Sequence, residues 1–226
     1  MLNYQKMAQA FDLKTVANHL LSGSIDALNA CYECCDRYAD SERIALYWYG
    51  KDGRKEQYTF SELKKYSSQF ANFLKSQGVG KGDRISGLLP RTSELIITIL
   101  AAWRIGAVYQ PLFTAFGPKA IEHRIKLANS KLVVTDLGNR HKLCEITDCP
   151  TIVTVHVEQE AALYPQDLSF WTELNSQSET CELVMLNIND PFLLMFTSGT
   201  TGPAKPLQVP LKALIAFGGY MQDAIG

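Results

Sequence analysis

Between residues 59 and 155 the chain alternates between two hydrophobic periods, and this alternation constrains the fold more than any other feature. Leu63, Tyr66, Phe70, Phe73 and Leu74 recur at helical spacing behind Thr59 and Glu62, which fit a reciprocal capping box, and Gly78 suits the left-handed residue that ends such a helix. Arg84–Leu89 then reads as a buried strand stopped by Pro90, and Ser93–Ile105 as a second helix with Glu94 in its first turn and Gly106 past its end. Ala107–Leu112 is the next strand. Pro118 opens a third helix expected to turn Ile121, Ile125, Leu127 and Ala128 inward. Lys131–Thr135 and Thr151–Val155 complete the strands of this stretch. Strands separated by helical crossovers demand parallel βαβ pairing, so the fold class is α/β: a mostly parallel sheet flanked by helices. Upstream, Ile44–Tyr49 and Glu56–Thr59 flank Asp52-Gly53, which predicts an N-terminal β-hairpin because glycine accepts the positive φ of its turn. The opening forty residues carry apolar positions such as Val16, Leu20 and Leu21 at helical spacing.

Composition narrows the function classes. The chain has 226 residues, 46% hydrophobic and 20% charged, with a formal net charge of -1, so no global charge draws it to nucleic acid or to an anionic membrane. The longest predominantly apolar run, Leu95–Trp103, is about half of a membrane span, and Met1–Lys6 lacks a signal-peptide pattern, which places the protein in the cytoplasm. Cys31, Cys34 and Cys35 have no matching Cys/His pair at finger spacing, so they read as small buried apolar groups and no metal site is expected. His19, His123, His141 and His156 stand alone in the sequence and read as packed or solvated side chains. Charge is unevenly distributed: six Lys or Arg lie between Lys119 and Lys142, and none between Leu143 and Ala204. Within the second stretch, His156–Asn189 is acidic and irregular and reads as a long surface excursion.

The chemistry concentrates in Phe192-Leu-Leu-Met-Phe-Thr197-Ser198-Gly199-Thr200-Thr201-Gly202-Pro-Ala-Lys205. An apolar strand runs directly into small hydroxyl and glycine residues closed by one lysine. Backbone N–H groups and hydroxyls in such a loop can surround phosphate oxygens, and the lysine adds positive charge. The P-loop of the common NTPases requires Gly-Lys-Ser/Thr, whereas here Lys205 lies three residues after Gly202 and precedes Pro206.

The spacing Thr197-Ser-Gly-Thr-Thr-Gly202 with Lys205 resembles the phosphate loop of the adenylate-forming superfamily, which includes acyl-CoA synthetases, nonribosomal adenylation domains and luciferases. Tyr58–Leu63, Gly80–Arg84 and Ala102–Val108 resemble the family's N-terminal subdomain in the expected order. Tyr109–Pro118, with Arg124 and Leu132–Thr135 after it, looks most like acetyl-CoA synthetases and related short- or medium-chain enzymes. The resemblance covers the chain from about residue 30 to its end and implies the N-terminal part of the adenylate-forming fold.

It further implies ATP, Mg²⁺ and CoA as reactants and cofactor, a small-molecule carboxylate as substrate, and acyl-CoA as product. Thr197, Ser198, Gly199, Thr200, Thr201 and Gly202 would wrap the β- and γ-phosphates, with Lys205 beside them. The family loop usually ends Gly-x-Pro-Lys-Gly. Here Gly202-Pro-Ala-Lys205-Pro206 moves the proline by one place and loses the last glycine, while the lysine keeps its spacing. By the same resemblance Arg140, beside His141 and Lys142, would contact the 3′-phosphate of CoA. Full members of the family are more than twice as long. Residues 1–226 therefore read as an incomplete N-terminal AMP-binding domain, with the second half of that domain, the mobile C-terminal domain and its catalytic lysine lying outside the chain. An amino-acid- or aryl-activating member of the superfamily, and a noncatalytic module that keeps the fold, are the alternative readings.

Overall fold

In the computed structural model, which describes residues 12–156, 164–197 and 202–225, a seven-stranded sheet and a separate two-stranded hairpin organise the chain. Two short helices, α1 (Leu13–Leu20) and α2 (Ala30–Cys34), precede the hairpin, β1 (Ile44–Tyr49) and β2 (Lys55–Thr59), in which Gly53 takes a φ of 85°. Among the described residues the early helical expectation is met over these two pieces, and residues 1–11 lie outside the described residues. Helix α3 (Phe60–Ser76) begins at the predicted capping box: the Glu62 amide donates to Thr59 Oγ1 at 3.1 Å, and the Thr59 amide donates to Glu62 Oε2 at 2.8 Å.

The parallel core follows as β3 (Arg84–Leu88), α4 (Ser93–Arg104), β4 (Val108–Pro111), α5 (Pro118–Ala128), β5 (Ser130–Asp136), the single turn α6 (Leu137–Arg140) and β6 (Thr151–Val155). A two-residue strand β7 (Leu168–Ser169) and helix α7 (Phe170–Asn175) come next, then β8 (Pro191–Thr197), β9 (Lys205–Pro210) and α8 (Lys212–Ile225). Spatial order is β7-β6-β5-β3-β4-β8-β9, with every pairing parallel except β8–β9. Side-chain alternation assigns the two faces. Ile85, Tyr109, Leu132 and Val134 join the core built by α3 and α4, whereas Leu88, Leu112 and Val133 join Ile121 and Ile125 of α5.

Two expectations are corrected. Leu127 is 52% exposed while Ile121, Ile125 and Ala128 are buried, because residues 121, 125 and 128 share one helical face and residue 127 falls outside it. Nor is His156–Asn189 a surface excursion over its described residues. Phe170 and Leu174 are fully buried, Phe170 stacks on Phe70 at 4.5 Å, and Leu186 exchanges both backbone hydrogen bonds with Leu28. The acidic composition conceals a short apolar face that closes the core. Residues 157–163 of this stretch lie outside the described residues.

Cys31 and Cys35 are buried, and burial pushes the Cys35 thiol up to about 12, so it stays protonated as a packing group. Among the described residues no helix is long and apolar enough to cross a membrane.

Candidate active site

The chain leaves β3 for β4 on one side and then crosses back over β3 to reach β5 on the other. The loops after β3 and β4 therefore diverge to opposite faces, and a crevice opens at the carboxyl ends of these strands, where open α/β sheets bind ligands. A cavity of about 940 Å³ occupies this point. Its walls are largely apolar, with Trp48, Leu89 and Phe113 among them, and Lys51 and Arg91 add positive charge. That composition suits a flat or extended organic ligand carrying anionic groups.

Tyr109 also lines this cavity, only 2% exposed, and its hydroxyl has no partner among the described residues. Burial pushes the phenol above its ordinary value, so it stays a neutral donor. The ring lies over Gly87, where an added Cβ would stand 2.2 Å from the Tyr109 hydroxyl oxygen and 2.8 Å from Cζ. Gly87→Ala is therefore expected to push the ring into the cavity and to cost about 1–3 kcal/mol of stability. Thermal unfolding checks the magnitude.

Strand β8 runs parallel to β4, with Tyr109 opposite Leu193, so its carboxyl end opens on the same edge as the cavity. The predicted loop proves to be the connection of the antiparallel β8–β9 hairpin. Thr197 and Lys205 form the last pair of the ladder, and both are exposed at its mouth. Gly202 is also described and exposed, whereas Ser198, Gly199, Thr200 and Thr201 lie outside the described residues. The lysine is thus brought opposite the start of its own loop, a proximity that the sequence spacing alone did not contain.

Arg140 is placed differently from its sequence-based expectation. It is 3% exposed and forms a two-pronged pair with Asp167, Nε donating to Oδ2 at 2.5 Å and Nη2 to Oδ1 at 2.8 Å. Its remaining Nη1 faces Cys144 Sγ at 3.5 Å, and the guanidinium lies 4.4 Å from the Tyr164 ring centre. Asp167 also accepts from Thr154 Oγ1 at 2.6 Å. A CoA phosphate could reach Arg140 only by opening this pair, which ties α6 to the segment before β7. Asp167 gave no sequence signal because 27 residues separate the two partners.

His123, read from the sequence as an isolated residue, and Arg124, noted there only as part of the family resemblance, stand at the mouth of the hairpin. His123 Nε2 lies 3.1 Å from the Ala204 carbonyl oxygen, and Arg124 Cζ lies 5.4 Å from the Phe196 ring centre. Among the described residues no group of three His, Cys, Asp or Glu side chains could hold a metal ion. A Mg²⁺ in this crevice would be held chiefly by nucleotide phosphates, as such ions commonly are.

The sheet carries a hydroxyl- and glycine-rich hairpin connection at its carboxyl edge, and the sequence matches the AMP-binding enzyme family over residues 33–225. The chain belongs to that family. It is 33% identical over 217 residues to the acetyl-coenzyme A synthetase of Methylobacillus flagellatus, a match covering 88% of this chain and 32% of that protein. With the Bacillus subtilis acetyl-coenzyme A synthetase it shares 34% identity over 220 residues, 94% of this chain and 38% of the relative. The crystal structure of Brucella canis acyl-CoA synthetase superposes with a TM-score of 0.90 at 46% identity, covering 98% of this chain and 40% of that one. The chain thus spans about a third of the length of the curated relatives it matches. An anthranilate CoA ligase in complex with anthranoyl-AMP shares the fold, with a TM-score of 0.71 at 21% identity.

Proposed function

We propose that this chain supplies the phosphate-binding side of an ATP-dependent, AMP-forming acid–thiol ligase acting on a short- or medium-chain carboxylate. The observation that carries the reading is the β8–β9 hairpin, which sets Lys205 opposite Thr197 at the carboxyl edge of the sheet, beside the switch-point cavity. The relatives named acetyl-coenzyme A synthetase and acyl-CoA synthetase support the same class.

In this reading a carboxylate oxygen attacks the α-phosphorus of ATP, pyrophosphate leaves, and an acyl-adenylate forms. CoA thiolate then attacks the acyl carbon and AMP leaves. The protein contributes position and charge: Thr197, Ser198, Gly199, Thr200, Thr201 and Gly202 surround the outer phosphates, and Lys205 offsets the charge that builds on pyrophosphate. Mg²⁺ supplies further neutralisation when it arrives with ATP. All six cysteines are free thiols, which fits a reducing cytoplasm.

ATP–pyrophosphate exchange tests the reading. In the complete protein, exchange should depend on a carboxylate and be strongest among acetate, propionate and butyrate. The 226 residues alone should give none, since they supply one side of the site. Exchange driven by aryl or amino acids instead would overturn the substrate class, and no exchange with any acid would overturn the activity.

A further inference from the structure

Helix α5 carries two consecutive side chains that reach different strands of the hairpin. We propose that His123 and Arg124 are positioning residues, holding the two ends of the connection between β8 and β9 so that Lys205 stays in register with Thr197. The proposal rests on the phosphate-loop reading above.

The hairpin has an intrinsic weakness at the place where function needs order. Thr197–Lys205 is its terminal pair, both residues are exposed, and terminal ladder pairs are the first to fray. Each end is caught one residue back from that pair. On the β9 side, His123 Nε2–H donates to the Ala204 carbonyl at 3.1 Å, fixing the residue immediately before Lys205. On the β8 side, the Arg124 guanidinium lies near two rings. Cζ lies 4.1 Å from the Phe116 centre and 5.4 Å from the Phe196 centre, and Phe196 immediately precedes Thr197. A planar guanidinium gains from contact with aromatic rings in a way that an ammonium does not fully reproduce.

The support is itself held. Arg124 Nη1 donates to the Ala120 carbonyl at 2.8 Å, and the Arg124 carbonyl accepts from Gln110 Nε2 at 3.2 Å. Gln110 is fully buried in β4, and its Oε1 accepts from Ser86 Oγ of β3 at 2.8 Å and Ser130 Oγ of β5 at 3.0 Å. The middle of α5 is thereby bolted across three strands, and consecutive residues, about 100° apart around the helix, address the two ends of the hairpin. Arg124 Nε is buried without a partner among the described residues, so the side chain is kept there by its ring contacts and by Nη1 rather than by a full set of hydrogen bonds. On the other side Phe116 stacks on Phe113, which lines the switch-point cavity, so Arg124 also ties the loop to the wall of that cavity.

The test uses the complete protein with His123→Phe, His123→Gln, Arg124→Met and Arg124→Lys. It reads the KM for ATP and for carboxylate in the exchange assay, together with amide hydrogen exchange at Thr197, Lys205 and Leu207. His123→Phe and Arg124→Met should each raise the KM for ATP about tenfold and quicken amide exchange at the hairpin mouth, leaving the carboxylate KM within about twofold. His123→Gln keeps a donor and should restore most of the loss, whereas Arg124→Lys keeps charge without the plane and should not. Unchanged ATP KM and amide exchange in His123→Phe and Arg124→Met, with Lys205→Ala still slowing exchange, would overturn the clamp and leave the phosphate loop standing. A Lys205→Ala variant with unaltered kcat and ATP KM would instead remove the phosphate-loop reading, and amide exchange alone would then decide the clamp. Faster exchange spread equally through β5 would reduce both residues to general stability and end the proposal.

Discussion

Replacing Lys205 by alanine is expected to slow ATP–pyrophosphate exchange in the complete protein by about 100-fold or more, while the thermal unfolding midpoint stays where it was. Lys205 opens β9 and its side chain is exposed at the hairpin mouth, so its removal creates no cavity and leaves no buried partner unpaired. The fold does not depend on it. A polyphosphate does, because the charge that builds on the departing pyrophosphate must be met by preorganised positive groups, and losing one such donor commonly costs two to three orders of magnitude in rate. If Lys205 acts chiefly as the pyrophosphate departs, kcat falls more than the KM for ATP rises; if it holds ATP equally throughout, the KM carries the loss. Exchange within about threefold of the parent in both kcat and kcat/KM for ATP would show that the lysine takes no part.

The second large effect concerns stability. Arg140→Ala should destabilise the protein by about 3–5 kcal/mol, since it strands the Asp167 carboxylate, whose side chain is 2% exposed. For a chain of this size that corresponds to a fall of about 10 °C in the unfolding midpoint. The apolar double replacement Arg140→Met with Asp167→Leu should recover most of the loss, because burying neither charge avoids the desolvation that the pair must offset. The same variants settle the CoA expectation. An Arg140→Ala protein with an unshifted midpoint and a KM for CoA raised tenfold would show that the ion pair opens for the 3′-phosphate, and that the resemblance had the right residue.

Much of the architecture was legible because local signals agreed with one another. The Thr59–Glu62 capping box, Gly53 in its turn, Pro118 at a helix start and the strand Thr151–Val155 all fall where short-range stereochemistry put them. Errors arose where a residue's environment is set by a distant segment. Leu127 is apolar yet faces solvent, and Phe170 lies in an acidic stretch yet is buried against Phe70, a hundred residues earlier in the chain. The Arg140 ion pair was out of sight because Asp167 lies 27 residues on, and His123 looked solitary because Ala204 is 81 residues away.

The sequence by itself determined the α/β class and the β1–β2 hairpin, since periodicity, capping and glycine placement act over a few residues and need no tertiary partner. Only the tertiary structure decided which charges are available for a ligand. Arg140 is paired with Asp167, whereas Arg124 lies near Phe116 and Phe196 at the mouth of the loop. The physical reason is range. Backbone preference is local, but the availability of a guanidinium depends on what the whole fold folds against it.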